Sequence, residues 1–451
     1  MREANFLIEN NARHLWHPMA HAGEMRAHPP KIITSAAGVE ITDLDGKTVL
    51  DAVGGLWNVN LGYSCEPVKK AIRDQLEALP YYSSFRGTTN PPMIELSWEL
   101  AEFFKADGLT RAFYTSGGSD SVETALRLAR QYHKLNGQPE RTKFYALKKG
   151  YHGTHFGGAS VNGNANFRRA YEPLLPGVFH LPAPWDYRNP FGVADGAEIA
   201  RRIVALFEDE IAFQGADTIA AFIMEPVLGA GGVIVPHETF MPLMRAACDR
   251  HGILLIADEV ITAYGRTGAW SGSRLWGVQP DLMCTAKAIT NGYYPFGAVM
   301  IHDKLTQAFE SSTSPLASIG HGYTYSGHPV GAAAALAALA ETKRLDLAAN
   351  AEARGAELLA GLNDLHARHE LVGNARGKGL MACIELVSDR EKKSAPARET
   401  VQKVQDAAYD AGVMVRTSGP NVIISPPLIV TAGDVQRILA ALDAGLSAAA
   451  A

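Results

Sequence analysis

The sequence predicts an α/β chain: a large domain with a mainly parallel sheet between helices, plus a smaller α+β domain. Three observations carry that expectation. From about residue 90 to residue 301, strand-like and helix-like segments alternate. The strands are short apolar runs without polar alternation, such as Ile253-Leu254-Leu255-Ile256. Strands of that kind are covered on both faces, as in parallel sheets flanked by helices. After about residue 326 the alternation gives way to a different order, which reads as a second unit.

In chain order, the N-terminus is irregular up to Gly38. Residues 38–42 and 48–51 then flank Asp43-Leu44-Asp45-Gly46, which reads as a β-hairpin around an Asp-Gly turn. Strands are expected at 112–115, 143–147, 178–181, 219–224, 253–258 and 297–301, with helices at 119–136, 198–213 and 240–251. Next comes a long alanine-rich helix that should bridge two domains. A helix at 350–365, a strand at 379–386, a helix at 399–411, strands at 413–416 and 422–425, and a helix at 432–446 complete the chain. The expected division is an N-terminal segment, 1–60, contributing to the small domain; a large domain, 61–327; and a C-terminal small domain, 328–451.

Composition narrows the function classes. With 47% apolar and 20% charged residues, 451 residues hold ample material for a core, which excludes disorder as the main state. A net charge of −5 argues against a nucleic-acid partner drawn by overall charge. Cys65, Cys248, Cys284 and Cys383 form no CxxC pair, so reduced thiols are expected rather than a zinc ribbon or a disulfide scaffold. Among 15 histidines there is no HExxH, and no metal is expected. Neither a signal-peptide core nor a run of roughly 20 apolar residues is present, so the expectation is a cytoplasmic protein without a membrane partner.

Three segments carry chemistry. In Ala257-Asp258-Glu259-Val260, two carboxylates close an apolar strand, at the edge where open α/β sheets build their sites. Alone, the pair equally fits helix-capping or solvated acids. In Thr285-Ala286-Lys287-Ala288-Ile289, a lysine sits among small and apolar residues. Desolvation there would lower its pKa and make it a nucleophilic amine, although a lysine reaching out to solvent fits the segment taken alone. In Thr115-Ser116-Gly117-Gly118-Ser119-Asp120, a strand runs through two glycines into a helix. Free N–H groups at a helix N-terminus make a cup for phosphate, and a plain strand–turn–helix is the simpler alternative. Together, an anion cup, an acid for a ring nitrogen and an amine for an aldehyde are what pyridoxal 5'-phosphate needs.

On these motifs the chain resembles the class III aminotransferases of PLP fold type I, most of all the ω-aminotransferases of the amine or β-alanine:pyruvate type. The resemblance runs from His14-Leu15-Trp16-His17-Pro18 to the C-terminal domain. It implies that Lys287 binds the cofactor covalently and shuttles a proton, and that Asp258 pairs with the pyridinium nitrogen. Val260 and Tyr151 would enclose the ring from its two faces, His152 would support Asp258, and Gly118 and Ser119 would form the phosphate cup. Glu225, in Met224-Glu225-Pro226, would line the site near the cofactor hydroxyl. Thr324 would reach the phosphate of a neighbouring subunit, which implies a homodimer with shared sites and leaves a tetramer open. Trp57 would shape the amine pocket, Arg416 would grip a substrate carboxylate, and Arg86 would favour acidic or sulfonate donors unless it faces outward.

Two positions depart from relatives. Ile261 stands where ornithine and γ-aminobutyrate enzymes usually have Gln, and Gly117 stands where Ser is common. The implied reaction is ping-pong transfer from an amine or ω-amino acid donor to a keto acid, pyruvate first. A taurine- or putrescine-type aminotransferase, or an aminomutase or racemase of the same fold family, shares these residues. A nicotinamide dehydrogenase is a poor reading, because the strand at 112–115 leads to Ser-Gly-Gly-Ser and not to a dinucleotide turn.

Overall fold

The computed structural model describes residues 2–450. At its centre is a seven-stranded sheet. Its spatial order is Leu109–Thr115, Gly297–His302, Leu282–Thr285, Leu254–Asp258, Ile219–Met224, Lys143–Leu147, Val178–Leu181. Only Gly297–His302 runs antiparallel to its neighbours, and the other pairs are parallel.

Side-chain alternation explains why these strands read as continuous apolar runs. Tyr145, Leu147, Phe222, Met224, Leu255 and Ala257 face one core, with the helices Gly196–Gln214 and Phe240–His251. Phe144, Ala146, Ala221, Ile223, Leu254 and Ile256 face the other, with the helix Gly118–Leu135. Both faces are dry, so no polar residue is selected at either parity.

The strand Leu282–Thr285 was not anticipated from the sequence. Leu-Met-Cys-Thr carries little strand propensity, but the gap between Leu254–Asp258 and Gly297–His302 supplies partners on both sides.

The remaining strands form two smaller sheets. The hairpin Glu40–Asp43/Thr48–Asp51 forms, joined by an unanticipated strand Ile33–Ala37 on one side and by Val413–Met414 on the other. Val372–Gly377, Ala382–Leu386, Asn421–Ile424 and Arg416–Ser418 make the third sheet. The expected strand at 413–416 is therefore two strands. The chain pairs with Thr48–Asp51 up to Met414, then changes sheets and pairs with Asn421–Ile424 from Arg416. The expected strand at 379–386 is shorter, because the Lys378 N–H bonds back to the Met381 carbonyl in a turn before the strand at Ala382.

The alanine-rich helix Pro329–Arg344 contributes to two cores. Ala334 and Ala338 pack with the C-terminal helices, while Ala332, Ala335 and Leu339 pack beside the large sheet. A second tie is polar. Arg266 is fully buried and donates to the Leu380 carbonyl (2.9 Å), the Pro426 carbonyl (2.6 Å) and Asn60 Oδ1 (2.6 Å). Among the described residues, no helix is long and apolar enough to cross a membrane.

Arg266→Ala strands three buried acceptors, each costing about 1–3 kcal/mol when unpaired. We expect the variant to lose about 3 kcal/mol or more of stability in denaturant titration. Arg266→Lys should recover only part of it, because an ammonium cannot reproduce the guanidinium fork.

Candidate active site

Six strands end at one edge of the large sheet, and five of them deliver a group to the same cavity of about 360 Å3. Leu109–Thr115 leads to Ser116, Gly117, Gly118 and Ser119. Lys143–Leu147 leads to Tyr151 and His152, and Ile219–Met224 to Glu225. Leu254–Asp258 ends in Asp258 with Val260 beyond, and Leu282–Thr285 leads to Ala286 and Lys287.

The helix Gly118–Leu135 begins at this cavity with no side chain capping it. Its first-turn amides therefore remain available to an anion. Packing keeps the approach open. A Cβ at Gly153, where φ is +91°, would come within 2.8 Å of Ser119 Cα. Gly118 lies so close to Val260 that a Cβ would reach its methyl at 3.0 Å. Ser119 Oγ accepts from the Thr154 amide at 3.2 Å.

Asp258 is 4% exposed, and its Oδ2 meets His152 Nδ1 at 2.8 Å. The His152 amide is fixed in turn by Asn162 Oδ1. The other His152 nitrogen, Nε2, is buried without a partner. Asp258 Oδ1 accepts only the Val260 amide, at 3.2 Å, which leaves capacity facing the cavity. The adjacent Glu259 points away. It is fully buried and accepts from Thr262, from the Gly272 amide, and from both the amide and hydroxyl of Ser273.

Lys287 opens a short 3-10 turn with φ at +51°, a left-handed conformation that a non-glycine residue adopts at a cost. The turn is held by Asn291, whose side chain bonds the Leu61 amide (2.7 Å) and the Gly62 carbonyl (2.8 Å). Burial pushes the Lys287 amine below its ordinary value, and the Asp258 and Glu225 carboxylates pull it partly back. Burial raises the Tyr151 phenol, reinforced by Asp258 and Glu225.

Glu225 is 4% exposed and accepts from the Tyr151 amide at 2.9 Å and the Gly229 amide at 2.8 Å. Burial pushes its carboxyl up to about 7, with His152 opposing and Asp258 adding to the rise.

Thus Lys287, Asp258, Val260, Tyr151, His152, Gly118, Ser119 and Glu225 converge on one cavity. The other four sequence candidates are not among its lining residues. Trp57, with φ at +64°, lies in a buried apolar cluster with Val227, Val233, Ile261 and Met381, of which Ile261 lines the cavity. Arg416 begins the strand Arg416–Ser418 and makes no ion pair among the described residues. Its charge still opposes protonation of Lys287 and eases ionisation of Tyr151. Arg86 is exposed on its loop. Thr324 is also exposed, and its carbonyl accepts from the Tyr81 hydroxyl at 2.8 Å.

Sequence reasoning missed Asn58, Gly292, Tyr294 and Phe296, which also line the cavity. Asn58 directly follows the candidate Trp57, whereas Gly292, Tyr294 and Phe296 come from a segment with no motif, so only the folded chain brings them there. Among the described residues, no cluster of three His, Cys, Asp or Glu could hold a metal.

The family model described as aminotransferase class-III matches residues 22–446. The chain is 34% identical to the putrescine–pyruvate aminotransferase of Pseudomonas aeruginosa, over 94% of this chain and 91% of that protein. It is 34% identical to the diaminobutyrate–2-oxoglutarate transaminase of Halomonas elongata, over 96% and 94%. Among solved structures, a PLP-bound amine transaminase from an uncultivated Pseudomonas species superposes with a TM-score of 0.95 at 45% identity, covering 96% of this chain and 98% of that one. An (S)-enantioselective ω-transaminase from Thermomicrobium roseum matches with a TM-score of 0.95 at 38% identity, covering 100% and 99%.

The raised Glu225 pKa sets the sign of one pH effect. An acid whose folded pKa lies above its unfolded value contributes stability that is full below about pH 4.5 and is lost as the pH rises through about 7. Unfolding free energies of the apo-protein at pH 5.5 and pH 8.5 should therefore differ by about 1–3 kcal/mol more in the wild type than in Glu225→Gln. An identical pH slope in both would contradict the assignment.

Proposed function

The chain belongs to the class-III aminotransferases and depends on pyridoxal phosphate; on that premise we propose that it moves an amino group from an amine or ω-amino acid to a keto acid, with pyruvate as acceptor. The convergence of Lys287, Asp258 and the uncapped helix at Gly118 on one cavity carries the reading. A relative named for putrescine and pyruvate, and neighbours named as amine and ω-transaminases, support the substrate class.

The residues present fit the cofactor. Free first-turn amides at Gly118 and Ser119 suit its phosphate, and the glycine-lined approach leaves room for it. Asp258 has an unused face for a protonated ring nitrogen, and Tyr151 and Val260 line the space between. When bound, pyridoxal phosphate supplies an electron sink that lets the amine-bearing carbon lose a proton. The chain's residues do the rest. The lowered pKa of Lys287 keeps a share of its amine neutral, so Nζ can take that proton and return it. Asp258, anchored by His152, holds a proton on the ring nitrogen throughout. Glu225 fixes the Tyr151 backbone and so sets where the aromatic ring stands.

Arg416 reads as the carboxylate grip. A guanidinium without an ion pair is free to bind a keto-acid carboxylate through two parallel hydrogen bonds, and to stay unpaired when a neutral amine occupies the site. Trp57, through Ile261, bounds the space left for the donor side chain. Ile261 itself has no donor for the cofactor hydroxyl.

The assembly we propose is a homodimer with shared sites. Tyr81, Tyr82, Phe85 and Tyr325, on two loops that meet, are exposed, an apolar surface suited to a second copy. The Tyr81 and Tyr325 rings meet at 6.0 Å, next to Thr324 and in the loop region of Arg86. We assign residues 1–60 and 328–451 to the small domain and 61–327 to the cofactor-binding domain. The pairing of Val413–Met414 with Thr48–Asp51 supports this assignment. The proposed location is the cytoplasm.

Lys287→Ala should lower multiple turnover by about 10²–10⁴-fold in the absence of added amine, measured as alanine released from pyruvate. Near-normal turnover would overturn the role of Lys287. Arg416→Ala should slow the keto-acid half-reaction about tenfold or more in single-turnover kinetics, while the neutral-amine half-reaction changes little. Equal losses in both would make Arg416 a structural residue.

A further inference from the structure

A separate cavity of about 480 Å3 lies on the seam between the large sheet and the C-terminal sheet. Lys148, Lys149, Trp185 and Arg188 line it from one side, and Glu385 and Lys393 from the other. Its charge is lopsided, with four cations against one carboxylate. That carboxylate is already committed. Glu385 Oε1 accepts from Arg188 Nε at 2.7 Å, and Oε2 pairs with Arg376 at 3.2 Å.

The other cations find no acid. Lys148 and Lys149 make no ion pair among the described residues, and Lys149 Nζ rests 6.0 Å from the Trp185 ring centroid. Lys393 Nζ donates to the Tyr187 carbonyl at 2.6 Å and lies 4.5 Å from the Tyr187 ring centroid, with no carboxylate in reach. In the cavity wall, the Trp185 indole N–H is a buried donor with no acceptor, and the nearby Tyr187 hydroxyl is likewise unpartnered. A site with surplus cations, an idle buried indole donor and its one carboxylate already paired is complementary to an anion.

We propose that this seam binds a compact polyanion bearing carboxylate or phosphate groups. It is distinct from the cofactor cavity yet adjoins it along the chain, since Lys149 is followed by Gly150 and Tyr151. On the opposite wall, Asn421 belongs to the antiparallel pair that starts at Arg416. A bound polyanion therefore ties the turn carrying Tyr151 to the hairpin carrying Arg416.

The test is calorimetric titration of the holoenzyme with citrate and, separately, with pyrophosphate, each at constant ionic strength. The expected result is saturable binding of at least one of them, one per chain, and the tighter of the two identifies the anion type. Lys148 is exposed and holds no side-chain hydrogen bond, so Lys148→Ala and Lys148→Glu should fold as the wild type does. Lys148→Ala should weaken binding about threefold or more, Lys148→Glu further, and Lys148→Ala with Lys393→Ala about tenfold or more. No saturable binding of either probe, or less than a twofold change in Lys148→Glu, overturns the proposal.

Discussion

The direction of the central strands is the constraint on which the rest depends. Lys143–Leu147, Ile219–Met224, Leu254–Asp258 and Leu282–Thr285 are parallel neighbours, so all of them end at the same edge. Register then decides depth. Met224 is paired with Ala257, and Asp258 with Cys284, so Glu225 and Asp258 leave the sheet at the same level, and Lys287 follows in the turn just beyond the end of the next strand. Parallel pairing requires a crossover after each strand, and the helices that supply it bury both faces of the sheet. The site is thus a rim of strand ends above a dry core.

Burial at that rim raises the carboxyl pKa of both Glu225 and Glu259, and the donors around each acid set the part it plays. Glu259 receives four hydrogen bonds from Thr262, Gly272 and Ser273, which consumes its capacity and makes it part of the framework. Asp258 receives one backbone donor and His152, and keeps a face toward the cavity. Glu225 has two backbone donors and no cation in contact, so its carboxyl rises toward neutrality. Three acids within a few residues of the sheet edge therefore play three parts, and the difference lies in local donors rather than in residue type.

The substrate-facing elements come from outside the large sheet. Arg416 stands where the chain has just left one small sheet for another, after pairing with Thr48–Asp51 and before pairing with Asn421–Ile424. That position leaves its side chain clear of the acids that satisfy most arginines of this protein. Asn291 joins the lysine turn to the N-terminal segment, and Arg266 joins the same segment to Leu380 and Pro426. The lysine turn and the walls that would enclose a substrate are consequently braced against each other.

By itself, the sequence determined the α/β alternation, the hairpin near residue 45 and the three motifs with their order along the chain. These depend on local features: apolar runs, glycines before a helix, and an acid or lysine closing a strand. The tertiary structure alone decided that Leu-Met-Cys-Thr at 282–285 is a central strand, because its neighbours and not its propensity make it one. It also decided that Glu259 is turned into the framework by Thr262, Gly272 and Ser273, that Trp57 lies in an apolar cluster behind Ile261, and that Asn58, Tyr294 and Phe296 complete the cavity walls. Each of these is settled by partners distant in the chain, and a hydrogen-bond donor or packing neighbour brought in through space leaves no trace in local sequence.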